Sequence, residues 1–230
     1  TVTGVQTCAL PILGRRAHER GFDGLDLAVR AGHPINPDNV GSELEPAVQL
    51  WGDLGVACSM ITAETSLDDA TQASARRLYE AAGRAGVPMI KIGYFVLAPG
   101  QPFDEALSRA RERLAGFEAL SRETGVVTLY HTHGGLCLGS NCAGLRLLLE
   151  PTDSSWVKAY VDLGHLAVNG EDVRLGLAMI RDRLGAVCAK DAHHVRNPEA
   201  ESGAPAYMDS YVPRSEEHTS ELQSQFRISY

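Results

Sequence analysis

The stretch Thr124-Gly-Val-Val-Thr-Leu-Tyr-His-Thr-His133 contains the unit that decides the fold. A helical segment ends in a glycine, a short apolar run rich in β-branched residues follows, and that run ends in polar side chains. A glycine after a helix commonly adopts the left-handed conformation that ends the helix. A run that is apolar almost throughout is typical of a strand buried on both faces of a parallel sheet. The stretch therefore predicts a helix, a tight turn and a strand with polar groups at its carboxyl end.

The same unit recurs along the chain. Six strand-like runs begin at residues 24, 56, 87, 126, 157 and 185, so successive starts lie 28 to 39 residues apart. That spacing accommodates one strand and one crossover helix. No Gly-x-Gly-x-x-Gly turn follows any run, which favours a barrel over an open nucleotide-binding sheet. We therefore predict an α/β fold of the (β/α)8 TIM-barrel type.

The two ends of the chain match a single sequencing oligonucleotide. Residues 3–12 and 214–224 correspond to translations of the two strands of a common sequencing adapter. We therefore expect residues 1–12 and 214–230 to be adapter-derived, and such segments are set aside in fold reasoning. Residues 13–213 are then expected to form one incomplete barrel. On that division the chain itself is expected to be inactive.

Composition bears on the class of partner. The chain carries a formal net charge of −8, whereas nucleic-acid binders normally show a basic surface. No apolar run approaches the ~20 residues that a membrane-spanning helix needs. We expect a small-molecule partner, no nucleic acid and no membrane, and the composition is compatible with a homo-oligomer. A cytoplasmic location is expected, although the expected loss of the natural N-terminus leaves a signal peptide open.

Polar residues end two neighbouring strand-like runs. His131 and His133 end the fourth run, and Asp162 and His165 follow the fifth. In parallel α/β proteins the carboxyl ends of the strands meet around one cleft. His131 and His133 share a face because side chains alternate along a strand, whereas Asp162 and His165 converge only if the chain turns at Gly164. Imidazole and carboxylate groups placed in this way could bind one divalent ion.

Further polar residues near the sixth run have ordinary structural interpretations. Lys190 and Asp191 could form an ion pair at a strand terminus, and His193 and His194 are expected in a solvated loop. Cys188 lies within an apolar run, where a buried free thiol is the usual state.

Several segments resemble the xylose-isomerase-like superfamily of sugar (phosphate) isomerases and epimerases, which also includes endonuclease IV. Residues 20–27, RGFDGLDL, resemble the family's second barrel strand, and residues 130–135, YHTHGG, resemble its fifth. Residues 160–165, YVDLGH, and 184–191, LGAVCAKD, resemble the sixth and seventh strands. The resemblance covers residues 13–213 and implies a divalent metal, which is Mn, Co, Mg or Zn in the family.

The resemblance also assigns metal ligands. His131 stands where relatives place a glutamate or a histidine ligand, and Asp162 matches the sixth-strand aspartate. Cys188 stands where many relatives have a histidine ligand. In the family's register the first strand is missing, and the eighth begins near Val212 and is truncated. The family's eighth-strand glutamate has no counterpart before residue 214.

Catalytic and substrate-binding roles are implied in the same way. His165 matches a histidine that contacts metal or substrate, and Lys190 is expected to orient substrate oxygens, so both are candidate catalytic residues. His133 and Asp191, together with Lys190, are candidate substrate-binding residues.

The implied activity is a divalent-metal-dependent isomerisation or epimerisation. The substrate would be a small sugar, sugar phosphate or polyol, and the reaction a proton transfer through a metal-bound enediolate. A polyol dehydratase, which is a lyase, and a non-catalytic sugar-binding barrel remain alternatives on the same fold. A nuclease of the endonuclease IV kind fits less well, because the chain is acidic and has too few converging histidines and glutamates.

Overall fold

The computed structural model describes the backbone of residues 9–197 and 207–212. Within these residues, parallel strands form one curled sheet in which each strand pairs only with its neighbours in the chain. The strands are β1 (Gly24–Ala28), β2 (Ala57–Thr62), β3 (Met89–Lys91), β4 (Val127–His131), β5 (Val157–Asp162) and β6 (Leu184–Cys188). This is the architecture of an incomplete TIM barrel, as predicted.

Helices connect the strands and cover the outer face of the sheet. Two of them, α3 (Ala73–Ala85) and α4 (Phe103–Thr124), are followed by Gly86 and Gly125 with φ of 72° and 74°, which confirms the predicted order of helix, glycine and strand. The helices are α1 (Ala9–Glu19), α2 (Val40–Gly52), α3 (Ala73–Ala85), α4 (Phe103–Thr124), α5 (Cys142–Leu149), α6 (Leu163–Val168) and α7 (Val173–Ile180), followed by a 3-10 turn at Arg181–Arg183. None of the helices described here is long and apolar enough to cross a membrane.

Alternation along the strands separates two apolar regions. Side chains such as Ile61 and Ile90, both 0% exposed, point outward into the main core against the helices. A second, smaller cluster of Met60, Leu129 and Tyr160 fills the inner face of the curled sheet. Residues of the inner face therefore line the lumen of the half-barrel, and those near the strands' carboxyl ends border the expected site.

The chain after β6 corrects two expectations. Residues expected in a loop form strand β7 (Asp191–Arg196), which pairs antiparallel with β8 (Tyr207–Val212). His193 and His194 therefore lie on a β-hairpin strand rather than in a loop. The expected eighth barrel strand near Val212 is also wrong, because Val212 pairs with Asp191 in this hairpin and not with the parallel sheet.

Candidate metal centre

Three side chains meet at the carboxyl ends of β4 and β5. His131 is the last residue of β4, Asp162 is the last residue of β5, and His165 lies in the first turn of α6. One ligand atom from each lies within 4.8 Å of the others. Nε2 of His131 is 3.4 Å from Oδ2 of Asp162, and Nε2 of His165 is 4.0 Å from the same oxygen. All three side chains are buried, at most 8% exposed.

Asp162 gains its orientation from helix α6. Its Oδ1 accepts hydrogen bonds from the backbone N–H groups of Gly164 and His165, at 2.9 and 3.2 Å. This is N-capping, in which a side-chain oxygen satisfies N–H groups that have no partner within the helix. Oδ2 is left facing the histidines. The convergence of Asp162 and His165 therefore comes from a helix that begins at Leu163, where the sequence suggested a turn at Gly164.

His165 is held from its other side by the loop after β4. The backbone N–H of Gly134 donates to Nδ1 of His165 over 3.2 Å. A backbone N–H can only donate, so Nδ1 accepts, and a neutral ring carries its proton on Nε2. In that tautomer His165 points a donor towards Asp162.

Burial sets the charges within the centre. It lowers the pKa of both His131 and His165 to about 4, so both rings are neutral near pH 7. Burial alone would raise the pKa of Asp162, but the hydrogen bond from His131 and the nearby His165 lower it. The centre therefore holds one carboxylate and two neutral imidazoles near pH 7, and carboxylate and neutral imidazole are both common ligands of divalent cations.

His133 lies beside this centre. Its ring stacks on Tyr94 at 4.1 Å between centroids and lies 4.3 Å from the ring of His165. The rings of His131 and His133 are 5.7 Å apart, so the structure brings together the two histidines that the alternation placed on one face. Tyr94 was missed by sequence reasoning, although its position just after β3 is the kind of place where site residues occur.

The residues after β6 lie beside the centre. Cys188 pairs with Asp162 in the β5–β6 register, but its sulfur lies outside the group of atoms within 4.8 Å. Burial raises the pKa of the Cys188 thiol. A Cβ added at Gly164 would lie 3.0 Å from the carbonyl oxygen of Lys190, so the Lys190 backbone packs directly against α6. The side chain of Asp191 lies outside the described residues.

A polar group in the lumen was also missed. The hydroxyl of Thr62 donates to the carboxylate of Asp26, with distances of 2.8 and 2.9 Å to its two oxygens. Nζ of Lys91 lies 5.3 Å from the centroid of the Tyr160 ring. Burial raises the pKa of Asp26 and lowers that of Lys91. Side chains alternate along each strand, so each of these residues could be assigned to one face of its own strand. That they lie together could not be predicted, because the register between the strands was unknown.

The fold and the clustered strand ends define an incomplete TIM barrel with a candidate metal centre at the carboxyl ends of its strands. A family model described as "Xylose isomerase-like TIM barrel" matches residues 15–218. The chain belongs to the xylose isomerase-like TIM barrel family.

Solved structures share this fold at low sequence identity. A 3-keto-D-glucoside 4-epimerase from E. coli has a TM-score of 0.62 at 18% identity, with 77% of this chain and 72% of that one covered. A probable 3-DHS dehydratase from Bacillus anthracis has a TM-score of 0.65 at 16% identity, covering 82% and 70%. A xylose isomerase-like TIM barrel protein from Mycobacterium smegmatis, in complex with magnesium, has a TM-score of 0.64 at 15% identity, covering 93% and 75%. No curated protein matches significantly by sequence.

Proposed function

We propose that this barrel catalyses a divalent-metal-dependent isomerisation or epimerisation of a small sugar-like molecule. The observation that carries the proposal is the cluster of His131, Asp162 and His165 at the carboxyl ends of adjacent barrel strands. The family membership supports the same conclusion, because structural neighbours include epimerases such as a D-psicose 3-epimerase with a TM-score of 0.59.

His131 and Asp162 are the residues that would hold the ion. A neutral imidazole and an ionised carboxylate suit Mg²⁺, Mn²⁺, Co²⁺ or Zn²⁺, and the lowered pKa values of both groups keep them in those states near pH 7. A bound cation would supply Lewis-acid polarisation of substrate oxygens. Cys188 remains a proposed third ligand that would have to approach the cluster from β6.

The remaining residues would bind the substrate. With its proton on Nε2, His165, a candidate catalytic residue, is suited to donate a hydrogen bond to a substrate oxygen as negative charge develops there. His133, held by Tyr94, would form one wall of the substrate site. Lys190, packed against α6, would orient substrate oxygens, with Asp191 nearby in the chain.

A dehydratase is the second candidate. The probable 3-DHS dehydratase among the structural neighbours has a TM-score of 0.65 and covers 82% of this chain, so the fold accommodates a lyase as readily as an isomerase. Both reactions begin by removing a proton next to a polarised oxygen, and they differ in whether a hydroxyl group then leaves.

The domain organisation is also a proposal. We propose that residues 1–12 and 214–230 derive from the sequencing oligonucleotide and that the natural protein continues the barrel beyond residue 213. Sequencing the parental DNA checks this directly: barrel sequence in place of both segments, with a glutamate at the end of an eighth strand, is expected. Unaltered parental codons for residues 214–224 would contradict it.

Activity is best tested on that natural gene product. It would be incubated with Mn²⁺ in D₂O with aldohexoses and ketohexoses, with and without a phosphate group, and the products followed by NMR. An epimer or isomer carrying deuterium at the altered carbon supports the isomerase, and alkene signals identify a dehydratase. Asp162→Asn should abolish turnover, whereas Arg174→Gln, on the exposed face of α7, should retain it. Turnover that is unaffected by Asp162→Asn would contradict the proposal.

A further inference from the structure

Arg30 lies on the inner face of the half-barrel, just beyond the carboxyl end of β1. Leu27 and Val29, 6% and 1% exposed, point outward into the main core. Asp26, Ala28 and Arg30 alternate with them and therefore face the lumen. The Nε atom of Arg30 is buried and has no hydrogen-bond partner within the part of the chain that the structure describes.

Lys91 faces the same lumen from β3. Its neighbours Ile90 and Ile92, 0% and 2% exposed, pack into the outer core. Lys91 is half-buried, and its ammonium lies 5.3 Å from the centroid of the Tyr160 ring. Among the described residues, no carboxylate oxygen lies within 4.0 Å of this ammonium, so it contacts a π face but forms no ion pair.

The charges of these two groups are only partly balanced. Burial lowers the pKa of Lys91, the charge of Asp26 opposes that change, and the charge of Arg30 adds to it, so all three groups act on one another across the lumen. The carboxylate of Asp26 already accepts the hydroxyl of Thr62 at 2.8 and 2.9 Å. Asp162 acts on Lys91 more weakly and is engaged by His131 and α6. Two cations thus share this side of the lumen, and the carboxylate that acts most strongly on Lys91, that of Asp26, is already engaged by Thr62.

Lys91 is close to the candidate metal centre. Tyr160 lies between them, since its ring centroid is 5.1 Å from that of His131 and 5.3 Å from Nζ of Lys91. A small molecule held at His131 and Asp162 would extend along Tyr160 to Lys91. Partly buried cations without hydrogen-bonded partners are costly, and an anionic ligand group would compensate them with charge-assisted hydrogen bonds.

We propose that Arg30 and Lys91 form an anion-binding subsite, and that the substrate is a polyol carrying a carboxylate or phosphate group rather than a neutral sugar. This inference rests on the proposed function, because it places the rest of the substrate at His131 and Asp162. A guanidinium suits the planar, bidentate recognition that carboxylates and phosphates require. Asp26, fixed by Thr62, acts as a positioning residue for the two cations.

Matched ligand pairs that differ in charge test the subsite. Calorimetric titrations of the chain with Mg²⁺ present would compare D-galacturonate with its methyl ester, and D-fructose 6-phosphate with D-fructose. We expect the anionic member of one pair to bind at least about ten-fold more tightly than its neutral partner. A preference within the first pair identifies a carboxylate as the anionic group of the substrate, and a preference within the second pair identifies a phosphate. Lys91→Gln and Arg30→Gln should each remove most of the preference, and Lys91→Arg should retain it.

The controls separate this inference from the proposed function. Arg174→Gln removes a charge from a side chain that is 92% exposed and should leave the preference unchanged. Equal, metal-dependent binding of charged and neutral partners would overturn the subsite but not the proposed function. An anion preference that survives in both Lys91→Gln and Arg30→Gln would also overturn the subsite. Absence of binding by every probe would count against both.

Discussion

The backbone N–H of Gly134 and Nδ1 of His165 are joined by a hydrogen bond of 3.2 Å across 31 residues of sequence. This bond links the loop after β4 to the first turn of α6, and it determines which nitrogen of His165 carries the proton. Because Nδ1 accepts, Nε2 is a donor in the neutral ring. Nε2 of His131 lies closer to the carboxylate of Asp162, at 3.4 Å against 4.0 Å for Nε2 of His165.

His165→Gln should weaken metal binding much less than the loss of a ligand does. Since the proposed ligands are His131 and Asp162, we expect the Mn²⁺ affinity of the His165→Gln chain to fall by less than about ten-fold, the lower end of the cost of losing an outer-shell partner. Calorimetric titration with Mn²⁺ measures this. A loss as large as that of Asp162→Asn would show that His165 is itself a ligand and that its bond to Gly134 is broken on binding.

Stability of the metal-free protein should fall in mild acid. The pKa values of His131 and His165 are lowered to about 4 from an ordinary value of 6.5, so the unfolded chain binds more protons between those values. Stability is therefore fully present above pH 6.5 and declines as the pH falls towards 4. Each ring should cost about 2 kcal/mol between pH 7 and pH 5, as measured by urea unfolding with EDTA present.

Single substitutions show which residues cause the decline in stability in mild acid. His131→Gln and His165→Gln should each flatten the pH dependence by about half, if each native fold is retained at pH 7. His18→Gln, on the exposed surface of α1, serves as the matched control and should leave the slope unchanged. If the free energy of unfolding of the wild type is the same at pH 7 and pH 5, His131 and His165 are not buried as neutral rings.

Tyr130→Phe should loosen the loops that border the centre. The hydroxyl of Tyr130, fully buried, accepts from the N–H of Phe95 and donates to the carbonyl of Leu138, each over 2.9 Å. Its removal leaves both backbone groups without that partner, and we expect a loss of about 2 to 4 kcal/mol in the free energy of unfolding. Tyr94→Phe, which keeps the ring that stacks on His133, should change stability by less than about 0.5 kcal/mol. Similar effects of the two substitutions would contradict this account of the loops.

The barrel could be predicted from sequence because its signals are local. Two helices end in a glycine, Gly86 and Gly125, and an apolar run follows each within a few residues. His131 and Asp162 could be placed together because the carboxyl ends of neighbouring parallel strands always share one edge of a sheet. The resemblance supplied their roles as ligands, which stay a prediction.

The remaining features depend on contacts between distant residues. The β7–β8 hairpin pairs segments separated by residues 197–206, and its polar sequence gives no apolar strand signal. Lys91 lies on a strand of three residues, too short for its inner face to be recognised without the register to β2 and β4. The tautomer of His165 depends on Gly134, which sequence pattern cannot connect to it.

A Mn²⁺ titration of the chain and of its Asp162→Asn variant tests the central claim most directly. Asn keeps the shape and the N-capping oxygen of Asp162 but removes the charge, so the fold should persist while the cation loses its only carboxylate in the cluster of described residues. The account predicts one Mn²⁺ per wild-type chain and an affinity at least about 100-fold lower in the variant. Equal Mn²⁺ binding by both proteins, or none by the wild type, would contradict it.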